Sequence, residues 1–187
     1  RLNGCSYVTF KNITIRGTSS TDAYVFHFVN GTNNRVARCV IEITGAGATA
    51  TSSNLCPVVL SGSTGAMSTT SATANNLIVD SCTINAGYYG IYISGGSGSN
   101  THFFRYNTIS NPYYYGFYLN SAITAKILNN SLSMRTNNSS STAIYMINAN
   151  ASGANYHEIR NNILINAGQY GMYFLTSSGS GSAYGQI

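Results

Sequence analysis

Short alternations of apolar and polar residues recur along the whole chain, and they come in a fixed layout. Asn76-Leu77-Ile78-Val79-Asp80-Ser81-Cys82-Thr83-Ile84 serves as the template: a short strand, a polar corner, then a second short strand. The layout returns at Tyr7–Ile15, at His102–Ile109 (HFFRYNTI), at Ala125–Leu132 (AKILNNSL) and at His157–Leu164 (HEIRNNIL). A shorter copy runs over Val36–Ile41 (VARCVI). The second apolar anchor falls at Ile15, Ile41, Ile84, Ile109, Leu132 and Leu164, spaced by 26, 43, 25, 23 and 32 residues. A third strand follows each copy: Tyr24-Val25-Phe26, Val58-Val59-Leu60, Ile91-Tyr92-Ile93, Phe117-Tyr118-Leu119, Ile144-Tyr145-Met146 and Met172-Tyr173-Phe174. No stretch of helical length carries a 3.6-residue apolar period.

Three short strands per turn with Asn- and Gly-rich corners predict an all-β solenoid of parallel strands. One such unit cannot bury its own apolar face, and stacking of neighbours supplies the core. The expectation is a single domain over residues 1–187, about six coils of three strands, with long loops near 44–57, 61–75, 133–143 and 147–156. Tyr184-Gly185-Gln186-Ile187 matches Tyr156-His157-Glu158-Ile159, so a seventh coil is expected to begin there, as in a fragment of a longer solenoid.

Side chains alternate across a strand, so Ile91 and Ile93 should face the interior and Tyr92 the outside. Tyr92, Tyr118, Tyr145 and Tyr173 then form an outer column, with coils roughly 4.8 Å apart. Tyr88, Tyr89, Tyr114, Tyr115 and Tyr170 flank it, which makes an aromatic stripe the candidate ligand-binding feature. Exposed aromatic rings suit sugar stacking or a partner surface, and they also suit stacking on one another. Gly90, Gly116 and Gly171 precede this strand, where a positive φ or a tight approach is expected. The corner column carries Cys39, Cys82, Asn107, Asn130 and Asn162. Stacked asparagines can hydrogen-bond along the axis. Parallel side-chain vectors favour free stacked thiols at Cys39 and Cys82 over a disulfide.

With NNLIVDSCTINAGYYGIYIS and HEIRNNILINAGQYGMYFL as its most regular segments, the chain resembles the right-handed parallel β-helix repeat proteins. These are the pectate-lyase-like solenoids, and the likeness is greatest to β-helix regions of bacterial secreted and cell-surface adhesins. The resemblance implies a right-handed coil. It leaves function open, because the fold hosts both enzymes and inert stalks.

Composition narrows the function classes. Charged residues make up 7% of the 187 residues, and the net charge of +5 comes without a basic run, which argues against a nucleic-acid partner. No apolar run is long enough to span a bilayer, so no membrane insertion is expected. Low charge with abundant Ser, Thr and Asn points to a secreted or cell-surface protein. The acids are Asp22, Glu42, Asp80 and Glu158. No two of them are spaced to flank one glycosidic bond, and no DxD-type calcium cluster occurs. His27, His102 and His157 do not converge, and the cysteines lack CxxC spacing. The expectation is therefore no catalytic residue, no metal and no cofactor, but a structural and adhesive segment. Its partners would be a polysaccharide or cell-surface glycan and the neighbouring coils of a parent chain. Two alternatives stay open: part of a polysaccharide lyase or hydrolase, and a self-stacking filament subunit.

Overall fold

The computed structural model describes residues 1–45, 52–71, 73–85, 87–96, 101–121, 124–148, 156–175 and 185–186. Segments 46–51 and 149–155 of the expected loops lie outside these residues, as do Tyr184 and Ile187.

Among the described residues twenty strands form three sheets, and every pairing is parallel. Sheet A holds Leu2–Asn3, Ala23–Val29, Leu55–Ser61, Tyr89–Ser94, Tyr115–Asn120, Thr142–Ile147 and Tyr170–Leu175. Sheet B holds Thr9–Lys11, Arg35–Ala37, Ile78–Asp80, His102–Arg105, Ala125–Leu128, His157–Arg160 and Gly185–Gln186. Sheet C holds Thr14–Gly17, Val40–Ile43, Thr83–Asn85, Thr108–Ser110, Ser131–Ser133 and Ile163–Ile165. The chain visits B, C and A in turn, six times over, which is a parallel β-helix. Gly185–Gln186 pairs with His157–Glu158 and starts the seventh coil in the expected register.

Sheet A departs from the sequence reading in two ways. Its strands run for six or seven residues where triplets were expected. An additional strand, Leu2–Asn3, precedes the first coil. Several residues assigned to loops therefore belong to strands: Leu55–Pro57, Ser61, Ser133, Thr142, Ala143 and Ile147.

Register explains the core. Phe26, Val58, Ile91, Phe117, Ile144 and Met172 align across sheet A, and Ile15, Ile41, Ile84, Ile109, Leu132 and Leu164 across sheet C. With Val36, Val79, Phe104, Ile127 and Ile159 from sheet B they pack as one continuous cluster. Full burial of each such side chain stabilises the fold by roughly 1.5–3 kcal/mol.

Each corner from sheet B to sheet C places a non-glycine residue in the left-handed region. Asn12, Arg38, Ser81, Tyr106, Asn129 and Asn161 have φ between 52° and 57°. Asparagine tolerates this conformation best, which accounts for its abundance at the corners. The next residue in each copy is the corner column. Asn130 Oδ1 accepts from Asn107 N and Nδ2 at 3.0 Å, and Asn162 Oδ1 accepts from Asn130 N and Nδ2 at 2.9 Å. Asn107 Oδ1 closes the ladder on Cys82 N at 2.9 Å. Cys39 and Cys82 follow in the same column as free, buried thiols.

The glycines before the tyrosine strand do not have positive φ, since Gly4 alone among the described glycines does. Their role is close approach. A Cβ on Gly116 would stand 2.4 Å from Leu132 Cδ2 and 2.6 Å from Ala143 O, and one on Gly90 would stand 2.4 Å from Gly116 O. At Gly171 nothing lies within 4 Å, so neither explanation applies there. Gly116→Ala should therefore destabilise the protein by about 1–3 kcal/mol through overpacking. Gly171→Ala should change it by less than about 0.5 kcal/mol. Urea unfolding of the two variants, followed by circular dichroism, reads the difference.

Candidate functional site

The outer face of sheet A carries two rows of side chains, three residues apart along each strand, with Val25 and Pro57 left out of the ladder between them. One row runs Tyr24, Cys56, Tyr89, Tyr115, Thr142, Tyr170. The other runs His27, Val59, Tyr92, Tyr118, Tyr145, Tyr173. From Tyr92 onward the second row is an unbroken stack, with ring centroids 4.6, 5.6 and 5.1 Å apart and interplanar angles of 15°, 4° and 13°. Tyr89 stacks on Tyr115 and Tyr88 on Tyr114 beside it. The rings therefore turn their faces to one another along the axis. Burial raises the phenol pKa of Tyr89, Tyr92, Tyr115 and Tyr118; neighbouring phenols add to the effect, although at Tyr118 the hydrogen bond with Tyr92 works against it, and all four stay protonated at neutral pH.

A fully exposed stripe is not what the structure shows. Tyr92 faces away from the solenoid interior but is only 5% exposed. It packs in a second cluster with Cys56, Val59 and Met67. Met67 belongs to the connection after Leu55–Ser61, which is held at both ends: Gly62 N donates to Thr69 O, Ser94 Oγ to Ser68 O, and Ser71 Oγ to Asn30 Oδ1. Tyr170 is 43% exposed, and Tyr88, Tyr89, Tyr114, Tyr115, Tyr118, Tyr145 and Tyr173 are half-buried.

Clefts open where a row of rings skips a coil. The larger, about 840 Å³, lies over the coil that carries Cys56 and Val59. Tyr89 and Tyr92 line one side, Tyr24 and His27 the other, and Met67, Arg1, Asp22 and Asn54 complete the lining. Tyr24 OH donates to Asn54 Oδ1 at 3.1 Å, and Asn54 Nδ2 donates to Asp22 Oδ1 at 2.7 Å. The smaller, about 250 Å³, lies at Thr142, between Tyr114, Tyr115 and Tyr145 on one side and Gln169, Tyr170 and Tyr173 on the other.

His27 is the most unusual group in the larger cleft. Ser61 Oγ lies 2.8 Å from His27 Nε2 and directs its single proton to Ser63 O at 2.9 Å. Ser61 must therefore accept from Nε2–H, which leaves a lone pair on Nδ1. Nδ1 is buried and has no partner. Burial, reinforced by the Arg1 cation, lowers the His27 pKa to about 4, so the imidazole is neutral at physiological pH.

Residues 2–150 match a family described as NosD, periplasmic copper-binding protein. The chain belongs to the NosD family. No curated protein and no solved structure matches it. The family description is periplasmic, which fits an exported β-helix chain, and no helix among the described residues is long and apolar enough to cross a membrane.

The copper of the NosD description can be tested against the donors present. Every His, Cys, Met, Asp and Glu of the chain lies among the described residues, and no three of the His, Cys, Asp and Glu side chains cluster for a metal. His102 and His157 accept backbone N–H bonds at Nδ1, from Leu77 at 3.2 Å and Ala125 at 3.1 Å. Cys39, Cys56 and Cys82 are buried with their thiols on backbone carbonyls. Asp80 sits between Arg35 and Arg105, Glu42 pairs with Arg16, and Glu158 pairs with Lys126 and Arg160. Met134 and Met146 lie in the core, with Met172 packed against it. Cys5 is exposed. His27 and Met67 both line the larger cleft, but His27 Nδ1 is enclosed and lies in the field of the Arg1 cation, so the donors present do not assemble a copper site.

Proposed function

We propose that this segment is a non-catalytic platform on an exported, cell-surface or periplasmic β-helix protein, and that it binds a polysaccharide along the outer face of sheet A. The supporting observation is the pair of clefts at Cys56 and Thr142, where the tyrosine row is interrupted. Three coils separate them, on the order of 14 Å at the strand spacing. An extended chain lying along the axis reaches both, whereas a monosaccharide fills one. Ring faces shut off within the stack become available at these gaps, beside hydroxyl, amide and carboxylate groups suited to sugar hydroxyls. The non-catalytic part rests on the acids: Asp80, Glu42 and Glu158 are held in ion pairs, and Asp22 accepts from Asn54.

The test is a panel of acidic and neutral polysaccharides, with binding and product release recorded together. Tyr89→Ala and Tyr170→Ala should each weaken binding about fivefold, the loss of roughly 1 kcal/mol of ring contact. Release of reducing-end or unsaturated products would overturn the non-catalytic reading, and absence of binding would overturn the platform.

A further inference from the structure

The chain has no basic run, yet the coil period gathers its scattered cations onto sheet B. Lys11, Arg35, Arg105, Lys126 and Arg160 lie on its strands and Arg38 on its corner into sheet C, against Asp80 and Glu158, so this face carries +4 of the chain's net +5. Elsewhere charges pair off: Arg16 with Glu42 on sheet C, and Arg1 with Asp22 in the lining of the larger cleft. On sheet B, Asp80 is shared by Arg35 and Arg105, and no carboxylate pairs with Lys11 or Arg38 among the described residues.

Two further features set this face apart from a merely charged one. Side chains alternate across a strand, so Val79, Phe104 and Ile127 enter the core while Ile78, Phe103 and Leu128 stand outside it, half-buried and in none of the hydrophobic clusters. Ile78 is in register with Phe103, Phe103 with Lys126 and Arg105 with Leu128, so apolar and cationic side chains interleave. Tyr7 and Tyr106, 79% and 58% exposed, stand at the two borders of the sheet. Both hold the left-handed backbone, with φ of 62° and 56°, that Asn33 and Asn76 or Asn129 and Asn161 adopt in the same corners of other coils. A bulky residue fits that conformation poorly, so packing and local propensity do not account for either ring.

We infer that the outer face of sheet B docks peripherally on a bilayer of anionic phospholipid. Lys11, Arg35, Arg38 and Arg105 lie against the lipid phosphates, and Tyr7 and Tyr106 enter the headgroup layer, which accommodates a ring with a polar tip. Shape and charge density select this occupant. Both clefts lie on sheet A, whereas sheet B is a ladder of strands of three or four residues through its first six coils, an array that fits a surface better than a single polymer chain. Its net charge is spread over roughly 24 Å at the strand spacing, too sparse for duplex nucleic acid, which carries a charge about every 1.7 Å. Sheet A is a separate face, so docking leaves its clefts open to a polysaccharide.

The experiment is co-sedimentation of the purified protein with vesicles of phosphatidylglycerol and phosphatidylcholine, and with vesicles of phosphatidylcholine alone. The protein should pellet with the mixed vesicles only, and about 1 M salt, where the Debye length is about 3 Å, should release it. Arg38→Asn and Tyr106→Asn should each weaken binding about fivefold. Asparagine suits the left-handed corner, so the melting temperature of both variants should hold or rise. Arg16→Asn removes the same charge from sheet C and should keep binding within about twofold of wild type. Equal losses in R16N and R38N would reduce the effect to net charge and overturn the docking face. Equal binding to both vesicles, or to neither, would overturn the anionic bilayer as partner, and binding to a soluble polyuronate in place of vesicles would overturn it in favour of an acidic glycan.

Discussion

Asn130→Leu should lower the melting temperature by about 10 °C, the largest single-residue effect expected in this fold. Asn130 is 2% exposed and serves two neighbouring coils at once. Its Oδ1 accepts from Asn107 N and Nδ2, and its Nδ2 donates to Phe104 O at 2.9 Å. Leucine matches the volume but leaves a backbone N–H, an amide proton and a carbonyl buried without partners. Each orphan costs roughly 1–3 kcal/mol, so about 3–5 kcal/mol is at stake. A protein of this size loses about 2–4 °C per kcal/mol. Asn85→Leu is the control, because the one group its side-chain oxygen abandons, Asn111 Nδ2, belongs to an exposed residue that water reaches. Its cost should stay near 1 kcal/mol. Thermal melts of the two variants decide the matter: equal losses would mean that the amide column contributes nothing beyond packing.

The amide column and the coil layout were both legible in the sequence, for one physical reason. A strand repeats its facing every two residues and a coil its register every turn, so aligned copies predict which side chains share a column. That logic placed Asn107, Asn130 and Asn162 together, sent Ile91 and Ile93 inward, and set Gly185–Gln186 beside His157–Glu158. It failed where a residue's role depends on contacts outside its own column. Gly116 is needed because Leu132 and the Ala143 carbonyl press on it, which periodicity does not reveal. Tyr92 faces outward as expected yet is covered, because Met67 arrives from a connection with no periodic signal. The His27 lone pair follows only from the direction of the Ser61 hydroxyl. One signal was available and points to the clefts: where four copies place tyrosine, the second coil has Cys56 and Val59, and in the fifth Thr142 stands in the neighbouring row. Exceptions to a repeat mark where its surface stops being uniform.

Mild acid should weaken the fold through its histidines, well above the range in which carboxylates titrate. Burial lowers the pKa of both His27 and His102 from 6.5 to about 4. Between those values the unfolded chain binds protons that the folded chain refuses, so stability rises with pH there. The contribution is fully present above about 6.5 and is lost as pH falls towards 4, up to about 3 kcal/mol for each histidine. His102 carries the cleaner signal, because it is fully buried and its Nδ1 must remain unprotonated to accept from Leu77 N. Asp80 acts in a separate window. Burial works to raise its pKa, but Ser81, Arg35 and Arg105 outweigh that and hold it below 3.8, so its contribution disappears only at lower pH. His102→Asn keeps an acceptor near the position of Nδ1 and removes the titration. Urea unfolding from pH 7 to 4.5 should therefore show a pH slope about half that of the wild type in H102N. An unchanged slope would mean that another group, and not the imidazole beneath Leu77, governs acid unfolding.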